Sequence, residues 1–94
     1  MISFQQVVKE YRHENKLSLR GFAEQITEGL SSTSVSGQTI SRWEKGLSPA
    51  PDLYLFLNCI TTYTDWRRDF AVDSLRAVMP HVFKDGVVTF NLPQ

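Results

Sequence analysis

The chain predicts an all-α fold of five helices with a short C-terminal β-hairpin or strand, and three observations carry that prediction. Apolar residues recur at i, i+3, i+4, i+7 in successive segments, Ser, Thr, Gly and Pro stand where those segments start and stop, and alternation of period two appears only after Pro80. Ninety-four residues suffice for one small core and not for two, and a hydrophobic content of 41% belongs to a folded globular chain.

Phe4, Val7, Val8 and Tyr11 mark one face of a helix from about Ser3 to Glu14, closed by Asn15 and Lys16. Ser18 is a natural N-cap for a second helix with Leu19, Phe22, Ala23 and Ile26 at the same spacing. Gly21 in its first turn costs about 1 kcal/mol relative to Ala, so a close helix contact is expected there. Gly29 is the expected stop. Leu30 to Val35 reads as loop, and the sequence leaves open whether the second helix runs on through Leu30 or a Ser/Thr-rich flap forms.

Ser36 caps a third helix that ends at Gly46. Ile40, Trp43 and Leu47 fall on its inward side, and Gln38, Ser41, Arg42 and Lys45 on the other. Ser48-Pro49-Ala50-Pro51 is a stiff connection, with Pro51 suited to the first turn of a fourth helix whose stripe is Leu53, Phe56, Leu57 and Ile60. Thr64 is expected to cap a fifth helix, with Asp65 at its positive end and Trp66, Phe70, Leu75 and Val78 as apolar contacts, before Pro80 ends it. Asp85-Gly86 between two short β-prone runs is a hairpin signal, and Val88, Phe90 and Leu92 alternate. A lone hairpin is marginal in water, so residues 80–94 form an extended tail that needs a surface, either the helices of residues 1–79 or a second subunit.

Composition removes several functions. The longest apolar stretch, Leu53 to Ile60, falls far short of the roughly 20 residues of a membrane helix, and no secretory signal opens the chain, so a cytoplasmic protein with no membrane partner is expected. Cys59 is the sole cysteine and, with only His13 and His81 beside it, cannot build a disulfide or a structural zinc site; it reads as a small buried hydrophobe. No nucleophile with a base, paired carboxylates or metal cluster stands out, so neither an enzyme nor a cofactor is expected. Ten Lys+Arg balance ten Asp+Glu, which argues against strong non-specific nucleic-acid affinity. Over residues 1–20, however, four basic residues face two acidic ones, whereas Asp65, Asp69, Asp73 and Asp85 lie late.

Gln and Arg carry the paired hydrogen-bonding groups that match adenine and guanine edges in the major groove. A polar stripe alone is ordinarily a solvated helix face. Its context here is a helix, a Ser-capped helix, a loop, and a Ser-capped helix ending in Trp43-Glu44-Lys45-Gly46, then Pro51. On Arg12, Leu17-Ser18, Phe22-Ala23, Ile26, Gln38 to Gly46 and Pro51, residues 4–63 resemble the Cro/repressor (XRE-like, lambda-repressor-like) helix-turn-helix family.

The resemblance implies a DNA-binding domain over residues 1–79 whose third helix enters the major groove. Gln38, Ser41, Arg42 and Gly37 would then lie at the bases, with Gln38 suited to adenine and Arg42 to guanine. Ser18, Ser36, Thr39 and Lys45 would touch phosphates. Arg12 and Glu44 occupy positions that form a buried ion pair in the family. Lys9, Lys16 and Arg20 read as solvated charges, with Arg20 the phosphate candidate among them, and Arg67-Arg68 as surface charges paired with Asp65 and Asp69. Trp43 reads as core.

Three departures weaken the phosphate grip: nine residues, Thr27 to Val35, replace a short turn, Leu19 stands where the family often has Gln, and Leu47 to Asp52 carries no cation. The expected function is a transcriptional regulator, a repressor of phage or mobile-element type, binding a pseudo-palindromic site on double-stranded DNA as a homodimer. Val88, Phe90 and Leu92 of the tail are the expected dimer contact. The rival expectation is an antitoxin-like or adaptor module that uses the same scaffold to hold a protein partner.

Overall fold

The computed structural model describes residues 3–28, 35–51 and 53–79 and the backbone of residues 83–84 and 87–88. Five helices follow in order: α1 (Phe4–Glu14), α2 (Leu19–Ile26), α3 (Gly37–Lys45), α4 (Leu53–Thr62) and α5 (Trp66–Val78). The fold class is all-α. Beyond the helices, β1 (Phe83–Lys84) and β2 (Val87–Val88) pair antiparallel, with Phe83 opposite Val88 and Lys84 opposite Val87. Gly29, the loop residues 30–34, Pro80, the Asp85-Gly86 turn, Phe90 and Leu92 lie outside the described residues, as does the side chain of Val88.

Helices of eight and nine residues such as α2 and α3 are too short to persist alone in water, so caps and packing must hold them. Ser3, Ser18 and Ser36 each accept a hydrogen bond from the backbone N–H three residues on, satisfying one donor left over at each helix start. At the other end of α3, Gly46 has φ 73°, and the N–H groups of Gly46 and Leu47 donate to Trp43 and Arg42 carbonyls. That is a Schellman ending, which favours glycine because its left-handed residue can lack a Cβ. The Gln5 side chain also lies where a Cβ at Gly46 would stand.

The core runs through the middle of the helices: Val8, Phe22, Ile26, Ile40, Phe56, Cys59, Phe70 and Leu75 are fully buried. Phe22 meets Phe70 edge-on at 5.1 Å between ring centres, and Phe4 meets Trp43 at 5.4 Å, both in the edge-to-face geometry that aromatic quadrupoles favour. α1 packs on α3 and α5, α2 on α3, and α4 on α5.

The structure corrects several sequence expectations. Leu47 is 70% exposed, because the Schellman turn lifts it off the helix before it can extend the Ile40/Trp43 stripe. The buried residues of α4 are Leu55, Phe56 and Cys59, whereas Leu53, Leu57 and Ile60 are only partly covered, and the Cys59 thiol faces the Ile26 carbonyl of α2. Asp65, not Thr64, caps α5, accepting from the Arg67 N–H, and Val78 is exposed. Pro51 precedes α4 rather than entering its first turn. α2 ends at Ile26, with Thr27 as its C-cap donating its hydroxyl to the Ala23 carbonyl, and Leu30 lies outside the described residues.

The close helix contact also falls on a different glycine. A Cβ at Gly21 would meet only its own cap, Ser18, and Leu17. At Gly37 it would stand 3.0 Å from the Arg20 backbone N and 3.2 Å from the Arg20 Cα, so α3 starts directly against the first turn of α2.

Candidate nucleic-acid interface

α3 presents two faces because its short span leaves each residue a fixed direction. Ile40 and Trp43 are buried beneath it, whereas Gln38, Arg42 and Lys45 are exposed and Ser41 is half-buried. Gln38 and Arg42, four residues apart, lie one turn above the other. Among the described residues no ion pair engages Arg42, Lys45 or Lys9, so their charges are available to a partner. Arg20 differs: its guanidinium meets Glu24 at 3.0 Å, on a solvated face where such a pair contributes little.

The Gly37 position does not present a base-reading group. The direction a side chain would take there points onto the α2 backbone, which makes Gly37 a packing residue that fixes how deeply α3 seats against α2. Ser36 and Thr39 bring their hydroxyls to 3.2 Å of each other at the α3 start, and Ser18 Oγ accepts from Gly21 N–H at 2.9 Å. A hydroxyl accepting in a cap keeps its own proton to donate, so capping and a phosphate contact are compatible.

The exposed Gln38, Arg42 and Lys45 face is braced from its flank. Arg12 on α1 grips Glu44 on α3 through two bonds, Nε to Oε2 at 2.5 Å and Nη2 to Oε1 at 3.0 Å, and donates a third to the Leu17 carbonyl at 3.2 Å. The two side chains are only 19% and 11% exposed. The Glu44 hydrogen bond raises the Arg12 pKa against the opposing effect of burial, so the guanidinium keeps its charge. A fork-to-fork pair fixes orientation as well as distance.

Sequence reasoning missed a second brace. Arg67 is not a surface charge: its side chain is 14% exposed and reaches Asp65 at 2.7 Å, Glu28 at 2.8 Å and the Gln25 carbonyl at 3.1 Å. Tyr63 donates its hydroxyl to the Glu28 carbonyl, and the Cys59 thiol lies 3.6 Å from the Ile26 carbonyl. Three donors, Cys59 of α4, Tyr63 of the link after it and Arg67 of α5, thus gather at the carbonyl end of α2, where a cation also meets the negative pole of the helix. The only sequence signal was the Asp65-x-Arg67 spacing, which gives no hint of residues 25–28 lying opposite.

Between α1, the start of α2 and α3 lies an open concavity of about 620 Å³ lined by Gln5, Lys9, Arg12, Leu19, Ser41, Glu44 and Lys45. No cluster of three metal-ligating side chains occurs among the described residues, and no helix among them is long and apolar enough to cross a membrane. Burial raises the Cys59 thiol to about 11, which keeps it protonated and unreactive near neutrality. No family model, curated protein or solved structure matches the chain.

Proposed function

We propose that the chain is a sequence-specific DNA-binding regulator of the lambda-repressor-like helix-turn-helix type, with α3 as the major-groove helix. The observation that carries the reading is the exposed Gln38, Arg42 and Lys45 stripe, with both cations unpaired among the described residues, on a helix whose flank is locked by the Arg12 and Glu44 fork. A side chain that must find a base edge needs a helix held in register, and base contacts of this kind discriminate by about 1–3 kcal/mol each. Gln38 reads adenine and Arg42 guanine; Ser41 supplements them; Ser18, Ser36, Thr39 and Lys45 meet phosphates.

A homodimer would set two copies of α3 in successive major grooves about 34 Å apart, on a pseudo-palindromic site, and repress by occupying promoter DNA. Its dimer contact is the tail, through Val88, Phe90 and Leu92. The zero net charge and the exposed Leu47 and Tyr54 favour the second reading, an antitoxin-like or adaptor module with a protein partner.

Titration of labelled duplex at two salt concentrations, followed by selection of bound duplexes from a random library, separates the two readings. The regulator binds random DNA weakly with a steep salt slope and enriches a two-fold symmetric motif. Absence of binding even at low salt would sink it and leave the protein-binding module.

A further inference from the structure

We propose, resting on the DNA-binding reading, that α1 is part of the interface: the concavity between α1, the α2 start and α3 seats one strand's phosphates, with Lys9 and Lys45 as its paired cations. The sequence gives Lys9 no more than the role of a solvated charge on the first helix. The fold brings it to the same depression as Ser41 and Lys45, which belong to the reading stripe, so the concavity opens along one edge of that stripe.

The dimensions require something there. A helix with its side chains is about 10–12 Å across and the major groove about 12 Å wide, so a seated α3 fills the groove and its flanks press on the phosphates of both walls. On this flank the protein surface is the concavity. The carboxylate of Glu44 in its wall is neutralised by the Arg12 fork, and Leu19 contributes no charge. What remains is Lys9 and Lys45, both exposed and neither in an ion pair among the described residues, together with the Gln5 amide and Ser41 hydroxyl as neutral hydrogen-bonding groups.

Lys9 also borders the outer side of α1, where Glu10 and Glu14 stand, so its charge is shared between two directions in the free protein. A phosphate wall supplies the stronger attraction. The arrangement offsets the absence of cations in the loop after α3, because α1 takes over a role that the loop cannot fill.

The test compares the full-length protein with Lys9→Gln and with Lys16→Gln, which removes the same charge from an exposed site that does not line the concavity. Both are surface changes, and circular dichroism checks that each variant is folded. Affinity for a random duplex is measured across a salt series. Lys9→Gln is expected to flatten the slope of log K against log salt by about 0.9, the contribution of one neutralised phosphate, on every sequence alike, and Lys16→Gln to leave it near that of the parent. Binding by the parent with equal slopes for both variants overturns the α1 contact while leaving the DNA reading intact. No binding by the parent at low salt overturns both.

Discussion

The guanidinium carbon of Arg67 lies 3.6 Å from the centre of the Tyr63 ring, and from there its nitrogens reach Asp65, Glu28 and the Gln25 carbonyl. One side chain therefore joins the start of α5 to the end of α2, just where the long approach to α3 begins. Planar stacking and several directed donors at once are properties of arginine, not lysine. Arg67→Ala is expected to destabilise by about 1–3 kcal/mol, combining the lost cation–π contact, the lost bonds and an uncapped α2 end. Arg67→Lys should fall between. Urea unfolding followed by circular dichroism gives both values, and a loss near zero for Arg67→Ala would refute the brace.

Asp65 gives the same junction a pH dependence. Hydrogen bonds from Arg67 hold its carboxyl below the ordinary carboxylate value against the smaller opposing effect of burial. A folded-state pKa below the unfolded one contributes stability above the unfolded value of about 3.9, and that contribution disappears as pH falls through the folded value. Asn retains an oxygen that can cap α5 but loses the charge. Asp65→Asn should thus be less stable than the parent at pH 7, and the two should converge below pH ~4. Since the Asp65 side chain is 45% exposed, solvent screening keeps the gap small. A gap that persists unchanged at pH 3 contradicts the charge-based account.

Gly37 offers a sharper test of how α3 is seated. Elsewhere in a helix, Gly→Ala gains about 1 kcal/mol from propensity. At Gly37 the new methyl would meet α2 backbone at 3.0–3.3 Å, and backbone cannot swing aside as a side-chain tip can. Gly37→Ala is expected to lose about 1–3 kcal/mol net, through overpacking that pushes the two helices apart. Thermal unfolding measures it; an unchanged or raised Tm shows that the contact gives way.

Local structure was legible wherever it depends on neighbours in sequence. The serine caps of α1, α2 and α3, the Gly46 stop and the inward Ile40 and Trp43 follow from spacing and cap chemistry alone. Two failures were local, the α5 cap falling on Asp65 rather than Thr64 and the Gly46 turn lifting Leu47 off α3, and the others were decided across the chain. Leu57 and Cys59 compete for the inward side of α4, and Cys59 is the one buried, its thiol against the Ile26 carbonyl of α2, which lies 33 residues away in sequence. Gly21 and Gly37 look alike in sequence, yet only the second meets another helix. Arg67 and Arg68 are adjacent, and the direction toward residues 25–28 is given to one of them by the α2 to α5 geometry. In the candidate interface, the exposed stripe was readable from periodicity, whereas the place of Lys9 beside Lys45 required α1 and α3 to be set side by side.

Arg42 carries the most specific prediction for DNA. It is exposed, unpaired among the described residues and one turn from Gln38, so its removal disturbs no packing and any effect belongs to the interface. A guanidinium gripping guanine O6 and N7 is worth about 1–3 kcal/mol of discrimination. Arg42→Ala should therefore weaken binding to the selected site by that amount, relax preference at a single base position, and leave affinity for random duplex changed only by the loss of one charge. Gln38→Ala should relax a different, neighbouring position. Library selection repeated with each variant reads the two positions directly. If Arg42→Ala instead weakens every sequence equally, Arg42 is a phosphate contact, and α3 must lie rotated in the groove so that Gln38 and Ser41 face the bases.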